Sequence, residues 1–197
     1  MNITVQFHPI WLRINHWLNA VAFLVLMSSG WRIYDASPFL GFRIPSSLTL
    51  GGWLGGALLW HFAAMWLLAA NGLAYLLSGI VSGRLRQRLL PIGVTALLSD
   101  LRAALSGQLA HERLDHYNQV QRLAYLAVIL DLLVLVLSGL VLWKSVQFPL
   151  LRTLLGGYEQ ARRIHFLAMA GGGLFLLLHL LMTALHPRTL LAMLRGH

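Results

Sequence analysis

Long apolar runs separated by short polar gaps dominate the chain. Four stretches, 12–33, 50–81, 121–143 and 164–185, each hold the roughly 20 mostly apolar residues needed to cross a bilayer. The second exceeds what a bilayer requires and predicts a helix that tilts or emerges on one side. The gaps are rich in turn residues: Pro38 and Pro45 in the first, Pro149 and Gly156-Gly157 in the third. The longest gap, 82–120, opens with RLRQR at 84–88. Within it, IGVTALLSDLRAAL at 92–105 has apolar residues at near-helical spacing with Asp100 and Arg102 opposite, which predicts an interfacial amphipathic helix. The pattern predicts an all-α integral membrane four-helix bundle, one transmembrane domain over 1–197, with that interfacial helix between the second and third spans. No internal sequence repeat stands out.

Composition narrows the chemistry. Charged residues are 11% of the 197, against about 25% in an ordinary soluble domain, and the mean hydropathy is +0.70. The absence of cysteine excludes disulfides, thiolate zinc sites, iron–sulfur clusters and thioether-linked haem. The net charge of +9 comes from basic residues bordering the apolar runs. Arginine there meets lipid headgroups, so the implied partner is membrane lipid rather than nucleic acid. An even number of spans puts both termini on one side. That side carries nine of the fifteen Lys and Arg residues and the other six, so the termini are expected in the cytoplasm. MNITVQFHP lacks the basic start of a signal peptide, and the apolar segment after it is too long to be one.

Ionisable residues inside a span are costly and mark function. His16, His61, His165 and His179 all fall within the apolar stretches. His165 and His179 are 14 residues apart on one helix. They therefore lie about 21 Å apart along its axis and within about 40° of the same face. His16 lies near the start of the first span, at the depth of His179, which leaves His61 to pair with His165. Two imidazoles from facing helices are what a bis-histidine haem requires. For that pairing the second helix must begin outside the lipid or the fourth must extend past Tyr158. Gly51, Gly52, Gly55 and Gly56, and the run Gly171–Gly173, suit either a macrocycle face or close helix packing. Arg13, Arg162 and Arg163 suit either haem propionates or headgroup anchoring. Asp131, alone in the third span, is either a proton relay or an internally bonded acid. His111 and His116 are either proton-exchanging groups or part of a solvated loop.

HPIWLRINHWLNA at 8–20, WHFAAMW at 60–66, DHYNQVQRLAY at 115–125 and RIHFLAMAGGGLFLLLHL at 163–180 resemble the diheme cytochrome b subunits of the nickel–iron hydrogenase and formate dehydrogenase type. The branch most similar pairs with periplasmic molybdopterin oxidoreductases. The resemblance implies two haem b groups, ligated by His16 with His179 and by His61 with His165. It also implies a quinone site near the cytoplasmic-side haem at Tyr117, Asn118 and Gln121, where amides and a phenol suit a quinone's carbonyls. The residues also fit helix capping. The expected function is electron transfer between the quinone pool and a periplasmic redox enzyme, in the bacterial inner membrane. Two alternatives remain: a stand-alone quinone-linked haem oxidoreductase, and a haemless anchor or transporter.

Overall fold

The computed structural model describes residues 9–89, 93–106 and 119–196. The described residues are helical, joined by turns. Four helices are long and apolar enough to cross a membrane: α1 (Ile10–Ala36), α2 (Leu54–Val81), α5 (Gln119–Trp143) and α7 (Tyr158–Leu185). Shorter helices are α3 (Arg84–Leu89), α4 (Val94–Leu105), α6 (Pro149–Leu154) and α8 (Pro187–Arg195). The expected interfacial segment is thus α4. The chain is a multi-pass all-α membrane protein, organised as two compact units. One is formed by residues 1–84 and 188–197, the other by 85–187.

The core of the first unit is the hairpin of α1 and α2. Its contacts run antiparallel: Ser29 meets His61 near the connecting loop, and Asn15 meets Asn71 towards the other end. Ala22, Ala57 and Ala64 are buried along the seam, small side chains that let the helices approach. The connection is tied to α1 by polar bonds. The Tyr34 hydroxyl donates to the Phe42 carbonyl, the Ile44 amide donates to the buried Asp35 carboxylate, and the Leu50 amide donates to the Ser28 carbonyl.

The start of α2 departs from the apolar pattern. The helix begins at Leu54 rather than near Leu50. Gly51 and Gly52 take φ of +107° and +69°, values that side chains disfavour. A Cβ on Gly51 would strike the Ala57 backbone, one on Gly56 would strike the Gly51 carbonyl, and one on Gly55 would strike the Trp53 ring. The GxxxG spacing here serves a tight turn folded onto the helix it precedes.

The second unit is built on the hairpin of α5 and α7. It is also antiparallel: Ser138 and Gly139 meet His165, and Asp131 meets Gly171. Ser138, Val141, Ala161 and Ala168 are buried in the seam. Gly156 and Gly157 turn the chain with φ of +76° and +92°, so that α7 begins at Tyr158. The fourth span therefore extends six residues beyond its apolar limit, as far as Tyr158. Asp100 on α4 accepts the Gln119 amide of α5 at 2.7 Å, a carboxylate placed at a helix N-terminus.

Gly51→Ala should destabilise the first hairpin by about 1–3 kcal/mol, the cost of strained backbone. A thermal melt of the detergent-solubilised protein checks this, with Gly72→Ala as control, since nothing lies within 4 Å of a Cβ there.

Candidate functional site

Each hairpin presents one histidine near its loop. His61 lies seven residues beyond Leu54 at the start of α2, and His165 seven beyond Tyr158 at the start of α7. In both cases the facing helix supplies a buried serine. Ser29 Oγ is 3.0 Å from His61 Nδ1, and Ser138 Oγ is 3.0 Å from His165 Nδ1. Each hydroxyl also lies 2.6 Å from a carbonyl four residues back, Val25 for Ser29 and Val134 for Ser138. Both serines are fully buried. A Cβ on Gly139 would come within 3.3 Å of His165 Cε1, so the glycine after Ser138 gives that ring its room.

The two histidine environments are carried by a short sequence repeat. VLMSSG at 25–30 matches VLVLSG at 134–139, and ALLWHFAAM at 57–65 matches ARRIHFLAM at 161–169. The repeat sets the serine, the histidine and the buried alanines on either side of it, Ala57 and Ala64 in one hairpin and Ala161 and Ala168 in the other.

Towards the opposite ends of the hairpins the repeat lapses. His16 is half-buried near the start of α1, its ring edge-on to Trp17 with centroids 5.3 Å apart. His179 is half-buried near the end of α7, stacked on Phe175 at 6.0 Å, and its carbonyl accepts the Thr183 hydroxyl. The continuous helix α7 carries both His165 and His179, as their spacing predicted.

The remaining candidates divide. Arg13 donates from Nε to the Met193 carbonyl at 3.0 Å and from Nη2 to the Leu194 carbonyl, capping the C-terminal end of α8. A guanidinium has five N–H donors, so this cap leaves others over. Arg162 lies 3.7 Å from Glu159 one turn earlier, and Arg163 is exposed beside it. Gln121 is half-buried in the first turn of α5. By the antiparallel register it lies within about one turn of the level of His179. Tyr117, Asn118, His111 and His116 lie outside the described residues. Asp131 directs Oδ1 towards Gly171, where a Cβ would come within 3.3 Å, and its buried Oδ2 has no hydrogen-bond partner among the described residues. Gly171 therefore makes room for a carboxyl.

One further polar cluster does not show in the histidine spacing. Asn15 donates to the Asn71 carbonyl oxygens of both side chain and backbone at 2.8 and 3.1 Å. Asn71 donates back to the Asn15 backbone and to Asn19 Oδ1, both at 2.8 Å. Asparagines inside apolar runs are the signal that was available.

An imidazole whose Nδ1 is engaged by a neighbour, with Nε2 as the remaining nitrogen, is a suitable iron ligand. Two such rings, in hairpins that each carry a further histidine towards the opposite end, fit haem rather than a solvent-exposed metal site. Consistent with that donor set, a family description, prokaryotic cytochrome b561, matches residues 8–196. The chain belongs to the prokaryotic cytochrome b561 family. A cytochrome of this family is a membrane protein that binds haem b and transfers electrons, which sets aside the haemless anchor or transporter. The putative protein-methionine-sulfoxide reductase subunit YedZ1 of Azospira oryzae is 62% identical to this cytochrome over 190 residues, covering 96% of each chain. No solved structure matches it.

Asn71→Leu should cost the cytochrome about 0.6–1.7 kcal/mol, the range for interhelical polar contacts in membranes. Unfolding in mixed detergent, read by circular dichroism, measures it.

Proposed function

We propose that this cytochrome is the membrane electron-transfer subunit of a quinone-linked reductase and holds two bis-histidine haem b groups. His16 and His179 ligate one, and His61 and His165 the other, as in the diheme hydrogenase and formate dehydrogenase type. The observation that carries the pairing is the matched setting of His61 and His165, each seven residues into its helix and each bonded to a buried serine. His16 and His179 support the other pair, each six residues from the terminal end of its helix. Bound haem supplies one-electron chemistry; the chain supplies ligands, spacing and a low-dielectric path.

Quinol is the proposed electron donor, bound at the cytoplasmic end by Gln121 with Tyr117 and Asn118. Gln121 lies within a turn of the His179 level, and a side-chain amide both donates to a quinone carbonyl and accepts from a quinol hydroxyl. Arg13, Arg162 and Arg163 are the proposed partners of the propionates. The excess of Lys and Arg on one side supports cytoplasmic termini in the bacterial inner membrane.

The partner is a periplasmic catalytic subunit of the molybdopterin type. The YedZ1 relative's name supports protein-bound methionine sulfoxide as that partner's substrate. The balance is simple: quinol gives up two electrons and two protons. The sulfoxide takes two electrons and two protons and leaves as thioether and water.

Purified protein should contain two haem b per chain by pyridine haemochrome assay. His61→Ala and His165→Ala should each lose one haem, and the double variant should still keep one. Retention of both haems by either single variant overturns the pairing. A periplasmic reductase should copurify and oxidise the reduced haems only when methionine sulfoxide is added. Haem oxidation by a small oxidant without any partner would instead favour the stand-alone oxidoreductase.

A further inference from the structure

We infer that Ser29 and Ser138 are positioning residues: they fix which nitrogen of His61 and His165 carries the proton, and so tune the iron these rings ligate. The inference rests on the haem reading above and goes beyond it.

A serine hydroxyl has one proton and two lone pairs. Ser29 Oγ lies 2.6 Å from the Val25 carbonyl and 3.3 Å from that of Leu26. Ser138 Oγ lies 2.6 Å from the Val134 carbonyl and 3.3 Å from that of Leu135. A carbonyl oxygen only accepts, so each short contact takes the single hydroxyl proton. The 3.0 Å contact to Nδ1 must then be donated by the ring. This puts the proton on Nδ1 and leaves the lone pair on Nε2, the arrangement an imidazole needs to ligate iron.

The hydroxyl does more than hold a tautomer. Having given its proton to a carbonyl, it is a stronger acceptor through cooperative polarisation. A ring that donates to such an acceptor becomes more electron-rich and stabilises the oxidised iron. Because the oxygen is neutral, the effect falls short of what a carboxylate partner would give. Complete burial of both serines leaves no water to stand in for the lost oxygen. Helix packing alone requires only a small residue at these positions, as the neighbouring alanines show. The hydroxyl, repeated with the same three distances in both hairpins, serves the ring.

The test uses full-length haem-loaded protein in detergent, with potentiometric titration followed by visible spectra and low-temperature EPR. Ser29→Ala and Ser138→Ala should keep two haems. Each should raise the reduction potential of the same one haem and move its low-spin g values, leaving the other unchanged. Ser29→Thr and Ser138→Thr should restore the wild-type potential. If the alanine variants do not assemble, Ser29→Cys and Ser138→Cys offer a weaker acceptor of similar size and should show a smaller rise. Unchanged potentials and g values, in a protein whose His61→Ala variant does lose one haem, overturn the serine role while the ligand assignment stands. Retention of both haems by His61→Ala overturns the ligand assignment, and this inference with it.

Discussion

Inside a bilayer a helix gains little from hiding apolar side chains against another helix, because lipid is equally apolar. What each hairpin depends on is the polar contact across its seam, and above all the bond between a buried serine and a histidine ring. That bond satisfies Nδ1 where no water is present, and leaving it unmade would cost about 1–3 kcal/mol. The surrounding features follow from it. Buried alanines bring the backbones close enough for the short serine side chain to reach the ring. Glycine pairs turn the chain so that each histidine enters at the same distance from its helix start.

The two hairpins solve the rest of the seam differently. The first locks its far end with the three asparagines, whose amides serve one another as donors and acceptors. The second has Ala124 and Phe175 at the positions matching Asn15 and Asn71 and carries Asp131 instead, with Gly171 clearing space for it. The first is thus held by a closed polar network, while the second keeps a carboxyl oxygen without a described partner. The two hairpins share the serine–histidine setting near their loops and differ at the opposite ends, where the other two histidines sit.

Much of this was legible in the chain. Apolar length gives four spans close to those observed, and the positions of histidine within them point to haem. The serines were not legible as partners. Ser29 reaches His61 across 32 positions and Ser138 reaches His165 across 27, so the repeat is broken by connections of unequal length. By spacing alone the glycines before His61 suit helix packing or a macrocycle face. Their role emerged only from backbone torsions.

The sequence by itself determined the solvent, the number of spans, the four intramembrane histidines and the family. Each follows from what residues are and how far apart they lie on one helix, and a helix has a fixed rise and rotation. Tertiary structure decided where α2 and α7 begin, which hydroxyl meets which imidazole, and that three asparagines form one network. Those facts depend on how two helices come together, and turn geometry sets that register.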